Sequence, residues 1–284
     1  MAQAKSITIV VRTQGKRESS ISLLTESFIK LTVQNPTTDI SLLFVTDSPE
    51  FQMMRLPKKT AISYIPGAPT GDTRCFLLWS SVNLINSDYA IFLDDDDSIA
   101  ERDWTELAVT LGIDQPDLVF LPVNLVMNTE RKEQVTTSNR LVALSLGTRN
   151  FVPISGVLYS SAVLRAMPIQ RLISFGPFFA EDHILMRMAI RASQSIAFCR
   201  VDAAVVNIRS NLKPLSSSEV YLWKRHDLAM QEVTDLISGP GSNIQRVRIF
   251  IRCAVPLGLY VFSILNRETF SIVMKLKRQS WRAQ

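Results

Sequence analysis

The chain has 284 residues, of which 46% are hydrophobic and 20% charged, with a formal net charge of +5. That balance excludes a disordered or fibrous chain and fits one large domain, or one domain with an extension. Three distant cysteines (Cys75, Cys199, Cys253) and only two histidines (His183, His226) argue against a disulfide framework and against a Cys/His zinc site, and fit a reducing, cytoplasmic compartment.

The N-terminal run MAQAKSITIVVRT lacks a long apolar stretch with a small-residue cleavage site, so no export signal is expected. Ile7–Val11 instead reads as a strand. Further strands are expected at Ile40–Thr46, Ala61–Ile65, Tyr89–Leu93 and Leu118–Val123, each a short apolar run. Helices are expected between them: over residues 19 to 33, with Ile21, Leu24, Phe28 and Leu31 on one stripe; over 72 to 86, with Cys75, Leu78, Trp79, Val82 and Ile85; and over Asp103 to Leu111. Strands alternating with helices predict a layered α/β sheet, mainly parallel, whose ligands bind beyond the carboxyl ends of the strands.

Past residue 124 the pattern loosens. Residues 128 to 140 are polar, Phe151–Tyr159 reads as extended, and Gly176-Pro177 marks a turn before the helix AEDHILMRMAIRA. Ser195–Val201 and Ala203–Ile208 read as two short strands, and a serine run at 216 to 218 opens a helix that Gly239-Pro240-Gly241 ends. A catalytic domain is expected over residues 1 to 212 and a helical extension over 213 to 284.

The extension carries the basicity. Residues 246 to 284 have a charge of +7, leaving −2 for the rest of the chain. The segment 249 to 265, IFIRCAVPLGLYVFSIL, is apolar but interrupted by Arg252 and Pro256. It falls short of the ~20 residues a spanning helix needs. Two readings stand: a helix resting on the anionic inner face of a membrane, or one packed on the catalytic domain or at a dimer interface with its charges solvated. No recognition motif for nucleic acid accompanies the arginines.

Two acidic clusters carry the candidate chemistry. The strand Tyr89–Leu93 runs into Asp94, Asp95, Asp96 and Asp97, placing four carboxylates at a strand's carboxyl end. If the chain stays extended there, Asp94 and Asp96 share one side and Asp95 and Asp97 the other. Such carboxylates raise one another's pKa unless a cation neutralises them, and hard oxygen ligands suit Mg²⁺ or Mn²⁺ completed by phosphate oxygens. The blander reading is a solvated loop. The second cluster, Glu181-Asp182, opens a helix, where the dipole alone favours carboxylates.

The joint order of segments resembles family 2 of the GT-A glycosyltransferases, the inverting nucleotide-sugar enzymes. That family's first strand ends in a Pro-Thr-Tyr-Asn-like turn; here it reads Arg12-Thr13-Gln14-Gly15, matched at Thr13, with Arg17 at the place of a following basic residue. Thr46-Asp47-Ser48-Pro49 keeps one acid of the family's Val-Asp-Asp-Gly-Ser, and Gly71-Asp72-Thr73-Arg74 is similar to the segment along the nucleotide. FLDDDD is similar to the metal-binding DxD segment, and Ala180-Glu181-Asp182-His183 to the acid pair before a helix.

The resemblance covers roughly residues 5 to 210. It implies a GT-A fold and Asp182 as general base. It also implies Asp96 and Asp94 as ligands of Mn²⁺ or Mg²⁺, although the register of the tetrad stays open. Thr13, Arg17, Asp47, Arg74, Asp94 and Asp95 are then candidates for contacts with a nucleotide-diphosphate sugar, and the acceptor is a saccharide or a lipid-linked sugar. His183 is a candidate ligand, an acceptor neighbour or a helix-surface residue, while Trp79 and Trp223 read as core. Two other functions fit less of the pattern: a catalytically silent nucleotide-sugar-binding or scaffold protein of the same fold, and a sugar nucleotidyltransferase, which would want a glycine-rich loop where Thr13-Gln14-Gly15-Lys16-Arg17 has one glycine.

Overall fold

The computed structural model describes residues 5–51, 56–67, 73–127, 131–136, 152–174, 181–208 and residue 229. Its first half alternates strands and helices: β1 (Ser6–Thr13), α1 (Glu18–Gln34), β2 (Asp39–Thr46), β3 (Thr60–Tyr64), α2 (Arg74–Val82), β4 (Tyr89–Asp94), β5 (Ser98–Ile99) and α3 (Thr105–Ile113). The second half adds β6 (Leu118–Phe120), β7 (Val123–Met127), β8 (Arg131–Val135), a 3₁₀ turn at Ile154–Gly156 and β9 (Val157–Ser160). Then come α4 (Ser161–Arg165), α5 (Ile169–Ser174), α6 (Glu181–Ala192), β10 (Ile196–Phe198) and β11 (Ala204–Ile208).

Seven strands form one sheet in the order β10-β6-β9-β4-β1-β2-β3, and four form a smaller one in the order β5-β11-β7-β8. The run β4-β1-β2-β3 is parallel throughout, as βαβ connections require, while β9 enters antiparallel between β4 and β6. The expected mainly parallel mixed sheet flanked by helices is what the chain forms.

Strand parity builds a core on each face. Ile7, Ile9 and Val11 of β1, with Leu42 and Phe44 of β2 and Ile91 and Leu93 of β4, pack against Leu24, Phe28 and Leu31 of α1 and Leu107 and Leu111 of α3. Val10, Leu43, Val45, Ala90, Phe92 and Tyr159 face the opposite way, toward Leu78 and Trp79 of α2 and Ile184 and Leu185 of α6. Trp79 is core, as expected. Ala229, beyond the expected boundary at residue 212, is buried in this second core. The boundary itself, the helix at 216 to 237 with Trp223, the residues of the basic tail and Cys253 otherwise lie outside the described residues.

Several boundaries differ from expectation for identifiable reasons. The single run Leu118–Val123 is two strands, β6 and β7, in different sheets; Pro122, which has no N–H to give a ladder, stands between them. The segment read as extended from Phe151 contains the 3₁₀ turn before β9. The third helix begins at Thr105 rather than Asp103, because the Asp103 carboxylate accepts the Thr105 backbone N–H at 2.8 Å from outside the helix. The hairpin strand β8 falls in the polar stretch that had suggested no strand, and β7 pairs it antiparallel.

Candidate active site

The carboxyl ends of β1 and β4 meet at the cleft, and their register decides which side chains do. Arg12 and Asp94 are direct partners across the two parallel strands. Both lie on the parity of Val10 and Phe92, so both point toward the α2 and α6 face. The Arg12 guanidinium donates through one terminal nitrogen to Asp94 Oδ1 and through the other to Glu181 Oε1, the latter at 2.6 Å. Arg12 is 4% exposed. Burial pulls its pKa down, but the carboxylates of Asp94 and Glu181 outweigh that and hold it above its ordinary value.

Beyond β4 the chain turns instead of staying extended: the Asp97 backbone N–H donates to the Asp94 carbonyl at 3.2 Å. The simple two-sided alternation of the aspartates is therefore replaced by a turn that brings all four to the cleft lining. Each has a distinct surrounding. Asp95 accepts from the Thr13 hydroxyl at 2.7 Å and from Arg17 at 2.8 Å. The same Arg17 nitrogen lies 2.7 Å from Asp96 Oδ2. Asp97 is buried, accepts the Asn207 backbone N–H at 3.1 Å, and is pushed well above the usual carboxylate range, first by burial and then by the charges of Asp94 and Asp96.

Thr13 also accepts the Gly15 backbone N–H at 2.9 Å, closing the turn after β1. Gly15 has φ +72°, and a Cβ there would stand 3.1 Å from Ser48, so this turn requires glycine.

The cleft has a volume of about 550 Å³. The tetrad, Arg12 and Thr13 line one part of it, with the basic side chains Lys16, Arg17 and Arg74, and Gln14, Leu77, Val206 and Asn207 completing the wall. Arg74 opens α2, where it was expected. Asp47 follows β2 directly but stands outside this lining.

Glu181 and Asp182 form the first turn of α6. The apolar stripe of α6 packs Ile184, Leu185, Met188 and Ala189 into the core, which anchors the helix start beside Arg12. Asp182 is partly buried and its pKa is pushed up to about 6, chiefly by burial, then by the adjacent Glu181 charge; Arg12 opposes the rise and Asp94 adds to it. Tyr159 of β9 lies in the same electrostatic neighbourhood, with a fully buried hydroxyl that has no hydrogen-bond partner among the described residues. His183 is 5% exposed, which removes the helix-surface reading.

Thr13, Arg17, Arg74, Asp94, Asp95 and Asp96 thus share one cleft, and Asp182 is coupled to it through Arg12 and Asp94. Lys16, Asn207 and the bridging role of Arg12 are additions. Lys16 sits in the basic stretch after β1, and Arg12 ends an apolar strand, a position at which a charge calls for a buried partner. Nothing local marks Asn207, which arrives through the pairing of β11 with β5 and β7.

Among the described residues no three His, Cys, Asp or Glu side chains form a set that could hold a metal ion. The turn does offer hard carboxylate oxygens, the ligand type from which an ion such as Mg²⁺ takes one or two before completing its shell with water and phosphate.

No protein-family model and no curated protein matches the chain. Solved structures do. S. aureus TarS residues 1–349 bound to UDP-GlcNAc is 16% identical, with a TM-score of 0.55 over 81% of this chain and 67% of that one. The same protein bound to UDP is 17% identical, with a TM-score of 0.51 over 72% of this chain and 60% of that one. The longer TarS structure gives 0.52 at 15% identity, and the chain spans only 40% of it. The architecture these likenesses share with the strand order described above is the GT-A fold.

Proposed function

We propose that the chain is a nucleotide-sugar-dependent glycosyltransferase of family 2 type, which transfers a sugar to an acceptor hydroxyl in one displacement with inversion at the anomeric carbon. The observation that supports this most is the coupling of two acidic segments through one side chain: Arg12 bonds Asp94 at the acidic turn and Glu181 beside Asp182. The UDP and UDP-GlcNAc bound in the TarS structures make UDP-sugars the first donors to test.

In this reading the donor diphosphate lies in the cleft near Lys16, Arg17 and Arg74, whose cationic groups suit phosphate oxygens. Thr13, Asp47, Asp94 and Asp95 serve the nucleotide and the sugar. Asp96 and Asp94 are the residues that hold Mn²⁺ or Mg²⁺. When bound, such an ion supplies Lewis-acid stabilisation of negative charge on the departing diphosphate.

Asp182 accepts the proton of the attacking hydroxyl. A carboxylate titrating near pH 6 is a stronger base than an ordinary one and is still ionised at neutral pH. The acceptor is a saccharide or a lipid-linked sugar, which gives the protein a place in polysaccharide or glycolipid synthesis. The C-terminal segment contributes membrane-surface contact if its basic residues meet anionic lipid.

The test is a panel of UDP-, GDP- and dTDP-sugars assayed for thermal stabilisation with and without Mn²⁺, followed by turnover of the stabilising donor by Asp182→Asn. Retained donor binding with turnover lost supports the assignment. Near-normal transfer by Asp182→Asn removes it, and a panel with no stabilising donor removes the nucleotide-sugar reading.

A further inference from the structure

We propose that Arg12 is a positioning residue: it fixes the start of α6 against the acidic turn of β4 and so sets both the placement and the basicity of Asp182. The proposal rests on the transferase reading for its catalytic consequence, but its structural part is tested without any donor.

The geometry that carries it is a three-element bridge. Arg12 comes from β1, Asp94 from β4 and Glu181 from α6, and the Arg12 and Glu181 side chains are 2% and 8% exposed. A guanidinium presents donors in a rigid fork, so two carboxylates bonded to its two terminal nitrogens are fixed in direction as well as distance. A lysine in the same place offers a point charge without that fork.

The α6 helix is held laterally by Ile184, Leu185 and Met188, whose apolar contacts fix its depth. Arg12–Glu181 supplies a directional contact at the first residue of the helix, one position before Asp182.

Among the described residues, the groups that act on the Asp182 charge include Glu181 and the His183 backbone N–H on its own helix, Arg12 on β1, Asp94 on β4 and the Tyr159 hydroxyl on β9, with His183 and Arg187 also ionisable on that helix. Arg12 is a cation among them. It lowers the proton affinity that burial, Glu181 and Asp94 raise. Without it Asp182 binds its proton more tightly, and so holds it to a higher pH.

The experiment uses the full chain labelled with ¹³C at aspartate Cγ, with the Asp182 resonance identified by its loss in Asp182→Asn. Removing Arg12 alone leaves Glu181 buried without its partner, and a proton taken up there would mask the effect. The informative comparison is therefore Glu181→Gln against Arg12→Met/Glu181→Gln, with Arg12→Lys/Glu181→Gln as the charge-retaining control. The Asp182 titration is expected to move up by at least one pH unit in the Met double variant and to return most of the way in the Lys variant. An unchanged titration in folded Met double variant overturns the proposal.

In parallel, UDP release from UDP-GlcNAc reads the catalytic part. The Met variant is expected to lose at least tenfold in kcat with KM for UDP-GlcNAc changed less than threefold, and its acid limb should follow the NMR titration. A kcat within twofold of the Glu181→Gln parent overturns the positioning role. If the unsubstituted chain releases no UDP from this donor, the NMR comparison alone decides for or against the bridge, and the transferase reading stands or falls separately on the donor panel.

Discussion

Asn207 of β11 holds two consecutive residues of the acidic turn: its backbone N–H donates to Asp97 Oδ1 at 3.1 Å, and its side-chain amide donates to the Asp96 carbonyl at 2.7 Å. The smaller sheet thereby supports the turn from the side opposite β1. Asn207→Ala keeps the backbone bond and removes the amide bond to Asp96. The expected result is a stability loss of about 1 kcal/mol or less, since Asn207 is exposed, with a several-fold rise in donor KM and little change in kcat. Urea denaturation and steady-state kinetics measure the two; a kcat loss larger than the KM change would contradict a role confined to the turn.

Activity is expected to fall as pH drops through about 6, where Asp182 takes up its proton and ceases to act as a base. A pH profile of kcat with the best donor of the panel measures this. An acid limb near 4, the range of an ordinary aspartate, would separate the limb from Asp182.

The same shift has a stability consequence of defined sign. The folded chain holds the Asp182 proton more tightly than the unfolded chain does, so this contribution is full below about pH 4 and is lost as pH rises through about 6. Asp182→Asn is uncharged at every pH. It should therefore match the parent near pH 4 and exceed it by up to about 3 kcal/mol at pH 8. Melting temperatures at the two pH values check the difference; a variant less stable than the parent at pH 8 would contradict the burial cost assigned to this carboxylate.

Asp96→Ala should abolish Mn²⁺-dependent stabilisation by donor and cost at least tenfold in kcat/KM, with the effect of EDTA on the parent reproducing most of that loss. The ion pair of Asp96 with Arg17 complicates a charge-only reading, because the variant frees Arg17 from one partner while Asp95 retains it. Isothermal titration with Mn²⁺ separates loss of the ion from loss of the pair. Full activity in EDTA would remove the metal from the mechanism.

Tyr159→Phe is expected to leave stability unchanged or raise it by up to about 1 kcal/mol. The Tyr159 hydroxyl is buried without a hydrogen-bond partner among the described residues, whereas the ring keeps its edge contact with Phe92, at 5.6 Å between centroids. A loss above about 1 kcal/mol in urea denaturation would show that the hydroxyl has a partner this structure does not display.

The first half of the fold was legible because β1, β2 and β4 are buried apolar runs and α1 and α2 carry a clear stripe. Both periods are strong there, and α1 matches its expected span to within one residue at either end. The second half was less so: β6 and β7 form one apolar run in sequence, and only their partners, β9 and β10 for one and β11 and β8 for the other, separate them. At the site, the residue types of Asp94 to Asp97 and of Glu181-Asp182 signalled chemistry. The turn at Asp94 did not show, because its hydrogen bond and the contacts with Asn207 come from tertiary packing. Arg12 read as a departure from a motif, although a cation ending a buried strand implies an acid across the sheet.

The alternation along β1 has a consequence for how this chain tolerates insertions. Lengthening the strand by one residue ahead of Arg12 would send the guanidinium into the apolar layer of α1 and α3 and present a different side chain to Asp94 and Glu181. Spacing within the strand is thus fixed by the same alternation that builds the two cores. Indels among related chains should avoid its eight residues.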